Sequence, residues 1–302
     1  MSPAPVALFV YNRPRHTRQT VEALLANAEA KGTELYIFSD AAKNELASKA
    51  VSEVRSYVHR ITGFRSVNVI ERGVNFGLAK SIIEGVSQIC KQHGRVIVLE
   101  DDIVTSPHFL KYINDALNLY ENDERVISIS GYIYPIKHEL PETFFLRGAD
   151  CWGWATWKRA WNLFEPDGNV LLRELEKKEL TCQFDSNGTY PFTRMLRNQV
   201  VGKNNSWAIR WHATAFIRQK FTLYPRQTLV HNIGVDGSGE NCALTDQFYG
   251  DFSAMPIEVK TTPVQEVAWV REQIMRFHRK AHPSLLGRGM RRLFGMLNGA
   301  RR

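Results

Sequence analysis

Cysteine is scarce and scattered in this chain. Cys90, Cys151, Cys182 and Cys242 form no C-x-x-C pair, which excludes a zinc knuckle and predicts a reducing compartment. Cys90 falls in an apolar helical pattern and reads as core. Long apolar runs are missing as well: none approaches the roughly 18 residues of a membrane-spanning helix. The stretch MSPAPVALFVYNRPR has no basic segment before its short apolar run, so a first strand is expected there rather than a signal peptide. The glycine fingerprints of phosphate binding are absent too. Tyr11-Asn12-Arg13-Pro14-Arg15 follows the first apolar run without a G-x-G-x-x-G, and no G-x-x-x-x-G-K-[ST] occurs. Backbone cradling of a pyrophosphate is therefore excluded at that turn, and with it the P-loop. Phosphate charge would have to be met by a metal and by Arg13 or Lys80.

Acidic residues nearly vanish from the C-terminal stretch. Residues 271–302 hold nine Lys/Arg and one acid, Glu272, and the other 270 residues balance at 30 basic and 30 acidic groups. The whole net charge of +8 thus lies in the tail. A nucleic-acid groove over the neutral body is excluded, and an anionic surface meeting the C-terminus is expected.

What is present is enough to build a sizeable core. A chain of 302 residues with 44% hydrophobic and 11% aromatic content folds as one large α/β domain or two smaller ones. The central stretch is Glu100-Asp101-Asp102, at the end of Arg95-Val96-Ile97-Val98-Leu99. That continuous, β-branched run predicts a buried parallel strand, and strand ends are where open α/β sheets present ligand groups. Three adjacent carboxylates repel one another and lose hydration unless a cation or hydrogen-bond donors offset them. A hard divalent ion, Mn²⁺ or Mg²⁺, bridging to substrate phosphates is the natural partner, because such ions take few protein carboxylates. The plain alternative is a solvated acidic turn. Beyond it, Ser106-Pro107 predicts a cap and a first-turn proline opening a helix from His108 to Tyr120.

Strands and helices alternate through the first half. Strands are expected at Pro5 to Val10, Leu35 to Phe38 and Val67 to Ile70, with helices from Thr17 to Ala30, Glu45 to Ile61 and Gly77 to Cys90. The alternation predicts a mostly parallel sheet with right-handed crossovers. Arg13, Asp40 and the three carboxylates then all fall at strand C-termini and can converge on one crevice. After Asp123 the texture changes. Strands Val126 to Gly131 and Phe144 to Leu146 precede Cys151-Trp152-Gly153-Trp154-Ala155-Thr156-Trp157, and Trp207-Ala208-Ile209-Arg210-Trp211 follows. Flat rings beside polar groups suit sugar faces, while a tryptophan-rich core anchor is the alternative. Leu171 to Leu180 reads as a solvated charged helix, Phe221 to Tyr224 as a strand, and His231 to Gly239 as a mobile lid or a long turn.

These motifs resemble those of a GT-A fold glycosyltransferase, similar to the N-acetylglucosaminyltransferase I group and its bacterial sugar-transferase relatives. The most specific piece is Val96-Ile97-Val98-Leu99-Glu100-Asp101-Asp102-Ile103-Val104 with Ser106-Pro107-His108-Phe109. The resemblance runs from Pro5 to about Trp161 and more loosely to Gly239. It implies a mostly parallel twisted sheet flanked by helices, with an acceptor-side α+β half. It also implies Asp102 as the Mn²⁺ or Mg²⁺ ligand, with Glu100 and Asp101 on the donor sugar or ribose. Arg13 and Asp40 would contact the donor nucleotide, joined by Asn75 and Lys80 from Asn75-Phe76-Gly77-Leu78-Ala79-Lys80. Trp152, Trp154, Trp207, Arg210 and Trp211 become the acceptor-side residues, and the Gly234 to Gly239 loop falls where the family closes over donor. The family's inverting base is an aspartate between two tryptophans, and Trp207 to Trp211 carries none. Asp236 and Asp185 are the available substitutes.

The expected activity is transfer of a hexosyl or N-acetylhexosaminyl group from a nucleotide diphosphate sugar to a hydroxyl of a glycan or lipid-linked acceptor. A sugar nucleotidyltransferase is the enzymatic alternative, although Tyr11 to Arg15 lacks its basic glycine-rich loop. A non-catalytic carbohydrate- or membrane-binding module is the other. The expected organisation is a donor and metal half over 1–122, an acceptor-side half over 123–263 and a basic amphipathic tail over 264–302. Val267, Val270, Ile274 and Phe277 recur at helical spacing, and beyond Pro283 apolar residues interleave with arginines. That pattern suits the plane of an anionic membrane, so the expectation is a cytoplasmic protein peripheral on the inner face, the alternative being that Val267 to Phe277 packs on the body and the rest is a disordered basic tail.

Overall fold

The computed structural model describes residues 2–236 and 247–281. The chain begins β1 (Val6–Val10), α1 (Pro14–Leu25), β2 (Glu34–Ser39), α2 (Glu45–Val58), β3 (Ser66–Glu71), α3 (Gly77–His93), β4 (Arg95–Glu100) and β5 (Ile103–Thr105). It continues α4 (Phe109–Leu119), β6 (Val126–Ser130), β7 (Thr143–Arg147), β8 (Trp154–Trp157), α5 (Lys158–Trp161), α6 (Gly168–Lys177) and α7 (Thr181–Phe184). The described elements end with α8 (Phe192–Val200), α9 (Trp207–Ile217), β9 (Phe221–Pro225), β10 (Val230–Asn232) and α10 (Ala268–Ala281). The result is a mixed α/β fold, a large sheet flanked by helices.

The sheet has eight strands in the order β3-β2-β1-β4-β8-β6-β9-β7. Its first four are mutually parallel, as the alternating strand–helix pattern requires. β8 then runs antiparallel between β4 and β6, so one sheet passes through both expected halves. A ribbon of β5 and β10 lies outside it. β1, β4 and β6 are buried along their whole length or nearly so, and Val6, Leu8, Ile97, Val98 and Leu99 anchor the main core.

Local chemistry adjusts several expected boundaries. The first helix starts at Pro14, which supplies its first-turn proline, and stops at Leu25, with a separate 3₁₀ turn over Ala28–Gly32. Ser106-Pro107 forms a turn ahead of α4 rather than its first turn: the Ser106 carbonyl accepts from Phe109 N at 3.2 Å. The apolar face expected to meet a membrane is spent on the body instead. Val270 and Ile274 of α10 are buried against a cluster with Ile133, Leu146 and Tyr224, and Phe277 packs on Tyr134 and Phe248. The interleaved segment beyond Pro283, like Gly237 to Gly239, lies outside the described residues. No described helix is long and apolar enough to cross a membrane.

Candidate functional site

β1 and β4 are parallel neighbours, with Phe9 opposite Glu100. Their C-terminal ends therefore release Arg13 and the acidic triplet into the same crevice. Arg13 lies just before α1, and its guanidinium spans two carboxylates. Nη2 donates to Asp102 Oδ2 at 2.9 Å and also to Asp101 Oδ1, while Nε donates to Asp101 Oδ2 at 3.3 Å. Nη1 is buried and has no hydrogen-bond partner among the described residues.

Electrostatics in the crevice are unbalanced. Burial acts to lower the Arg13 pKa, but the charges of Asp101 and Asp102 outweigh it and hold Arg13 above its ordinary value. Burial pushes Asp101 up to about 6 against the pull of Arg13. Glu100 rises to about 8, through burial first and then repulsion by Asp102 and Asp101. Three carboxylates facing one guanidinium cannot all ionise at neutral pH without further positive charge. Among the described residues no three His, Cys, Asp or Glu side chains form a ready cation cage. A hard ion shared with substrate phosphates needs only one or two carboxylates, so the donor set fits Mn²⁺ or Mg²⁺.

The β5–β10 ribbon brings a second segment onto the motif. Ile233 N donates to the Asp102 carbonyl at 2.8 Å. Next to it, a Cβ on Gly234 would stand 2.1 Å from Asp102 Oδ2 and 3.0 Å from Arg13 Nη1. Only glycine lets the main chain press so closely there. Asp236 follows in a 3₁₀ turn, where its carboxylate meets His16 Nε2 at 3.1 Å. His16 was not singled out from the sequence. Its only signal was the spacing from Arg13, which places both on one side of the first turn of α1.

Asp40 stands at the end of β2 with its carboxylate fully used by protein donors. It accepts from Phe76 N and Gly77 N, each at 2.8 Å, from Asn75 Nδ2 at 3.1 Å and from Ala41 N at 2.9 Å. Asn75 also donates to the Ala41 carbonyl at 2.7 Å. The pair closes the start of α3 onto β2, a helix N-terminus being a good place for a carboxylate. Lys80 projects to the surface, 3.7 Å from Glu84 and 4.0 Å over the Phe76 ring.

The expected acceptor residues divide. Trp154, Trp207 and Trp211 are buried in one indole cluster, with Trp154 5.4 Å from Trp207 and 5.9 Å from Trp211 between ring centroids. They present no face to a sugar: β8 is enclosed by strands on both sides, and α9 covers it. Arg210 is a strut, donating to the Ser206 and Pro166 carbonyls at 3.1 and 2.9 Å. Trp152 alone is half-exposed, with its ring against Tyr132 and Phe248. Asp185 accepts from Thr193 N at 2.6 Å and so ties down the start of α8.

No protein-family model matches the chain, and no curated protein matches it by sequence. Among solved structures, TarS of S. aureus aligns at 12% identity over 52% of this chain, with a TM-score of 0.36. A TarS structure of residues 1–349 aligns at 13% identity over 58% of this chain, with a TM-score of 0.35. The chain spans only 28% and 49% of those two molecules. The mannosyltransferase PcManGT from Pyrobaculum calidifontis, in complex with GDP-Man and Mn²⁺, aligns at 12% identity. That match covers 72% of this chain and 70% of PcManGT, with a TM-score of 0.38.

Proposed function

We propose that this chain is a metal-dependent glycosyltransferase. It moves a hexosyl or N-acetylhexosaminyl group from a nucleotide diphosphate sugar to a hydroxyl of a glycan or lipid-linked acceptor, with inversion. The observation that carries the reading is the crevice where the Arg13 guanidinium pairs with both Asp101 and Asp102, beside the buried Glu100. That site lacks positive charge and is ready for a divalent ion and the diphosphate it would bring. Asp102 would hold the ion with the donor phosphates, and the ion's chemistry is to neutralise charge on the departing diphosphate. Arg13 aids the same departure from the protein side. Glu100 and Asp101 would hydrogen-bond sugar or ribose hydroxyls. Asp40 and Asn75 shape the nucleotide side through the β2–α3 junction, and Trp152 offers its partly exposed ring to the acceptor.

A thermal-shift screen of UDP-, GDP- and dTDP-sugars, with and without Mn²⁺, tests the reading. A ligand of the native state raises the melting temperature by mass action. One donor should do so only with Mn²⁺, and Asp102→Asn should abolish that shift and the donor's turnover while retaining the fold. Wild-type turnover in Asp102→Asn, unaffected by EDTA, would remove the metal from the mechanism. Donor binding with no turnover against any acceptor would point to a carbohydrate-binding module instead.

A further inference from the structure

The two carboxylates expected to serve as base, Asp185 and Asp236, are committed elsewhere: the first caps α8 and the second meets His16 beside the donor crevice. A third carboxylate has a different environment. Asp150 lies in the segment joining β7 to β8. Its Oδ1 accepts from Cys151 N at 2.7 Å, and among the described residues no cation acts on it.

The segment is fastened to the donor site at its far end. Gly153 accepts from Gly131 N at 2.7 Å. A Cβ on Gly153 would stand 2.6 Å from Val230 and 3.4 Å from Ile103, the residue after Asp102. Asp150 is three residues back, so the chain keeps it within about 11 Å of that contact.

Aromatic rings gather around Asp150, which acts on Tyr132 and Tyr134. The Trp152 and Tyr132 rings meet at 4.6 Å, with Tyr134 5.3 Å from Tyr132 and Phe248 5.8 Å from Trp152. The partly exposed Trp152 ring, backed by buried Tyr132 and next to a carboxylate, suits a sugar, whose C–H face stacks while its hydroxyls seek acceptors. Electrostatics agree with the placement. Burial, then Asp150 and Glu100, raise the Cys151 thiol, so both carboxylates reach the same residue. Asp150 raises the phenols of Tyr132, Tyr134 and Tyr224, in each case after burial. Burial in turn lifts Asp150 to about 6, against the amides of Cys151 and Trp152. A carboxylate poised there is ionised at neutral pH yet basic enough to accept a proton.

We infer that Asp150 is the catalytic base, binding the acceptor hydroxyl beside Trp152 and removing its proton. This rests on the glycosyltransferase reading above. The O–H proton passes to the Asp150 carboxylate as the acceptor oxygen bonds the anomeric carbon. The bond from that carbon to the diphosphate oxygen breaks, and the diphosphate leaves with the electron pair. The proton is later released to water.

The test compares wild type, Asp150→Asn and Asp150→Glu in Mn²⁺. Donor affinity is measured by calorimetry with the donor found in the screen. Turnover is measured as nucleotide diphosphate release with a panel of aryl glycosides as acceptors. Asp150→Asn should bind donor as wild type does but lose roughly 100-fold or more in kcat, the usual range for a lost general base. Asp150→Glu, which keeps a carboxylate, should recover part of that rate. Should Asp150→Asn melt early, Asp150→Glu decides by itself: reduced kcat at unchanged donor affinity is expected, and unchanged kcat would overturn the inference. An Asp150→Asn enzyme that folds and turns over within threefold of wild type would also overturn it. If wild type neither binds nor turns over any nucleotide sugar, the function itself is wrong.

Discussion

At the scale of single residues, the crevice depends on what Gly234 omits. Any Cβ there must displace the Asp102 carboxylate or the Arg13 guanidinium. Gly234→Ala is expected to cost about 1–3 kcal/mol through overpacking, and to lower donor turnover by about tenfold or more at a cost of ~1.4 kcal/mol per decade. Steady-state kinetics with denaturant titration check both. Wild-type kinetics in a stably folded variant would show that the carboxylate has room to move. His212 carries a separate, acid-sensitive element of stability. It is half-buried among Phe184, Phe192 and Phe216, and burial lowers it from 6.5 to about 4 against a hydrogen bond to Ala149. The unfolded chain therefore protonates first as pH falls. His212 favours folding fully above about pH 6.5, and its contribution is lost as pH drops toward 4. For a half-buried ring the loss is on the order of 1–2 kcal/mol. Urea midpoints of wild type and His212→Gln should converge across that window, and parallel profiles would refute the assignment.

At the scale of elements, the junction of β2 with α3 decides whether Asp40 serves ligand or fold. Its carboxylate satisfies two amides at the start of α3 and binds Asn75. Asp40→Ala leaves these donors unpaired, and a loss of about 1–3 kcal/mol is expected from such desolvated groups. Differential scanning calorimetry measures the loss, and titration with nucleotide diphosphate tests the other role. A variant with unchanged stability and weakened nucleotide binding would make Asp40 a ligand contact rather than a cap. The same scale explains α9. Ser206 caps it through Ile209 N at 3.2 Å, and its tryptophans then point into the core against β8.

At the scale of the whole molecule, charge and apolar surface part company at the C-terminus. α10 has already buried Val270 and Ile274 on the body, so any membrane contact falls to the segment after Pro283. The expected outcome is that liposome binding requires anionic lipid, weakens with salt and disappears on truncation after Pro283. Each basic residue near such a surface contributes about 1 kcal/mol. Equal pelleting of full-length and truncated protein would rule out the expected membrane contact.

The sequence by itself determined the parallel half of the sheet and the place of Glu100-Asp101-Asp102. A short, continuous β-branched run such as Val96 to Leu99 favours a strand buried on both faces, and whatever follows such a strand must emerge at its end. Partnership was decided only in three dimensions. Arg13 finds Asp101 across 88 positions, Asp40 finds the start of α3 across 36 or 37, and nothing local in either segment names the other. The tryptophans show the same limit. An indole at a strand or helix position is equally suited to a core and to a sugar, and the choice depends on what covers it. Insertion of β8 between β4 and β6 covered Trp154, while the turn at Gly153 left Trp152 half-exposed beside Asp150. Burial is a property of the neighbours, and those neighbours come from distant parts of the chain.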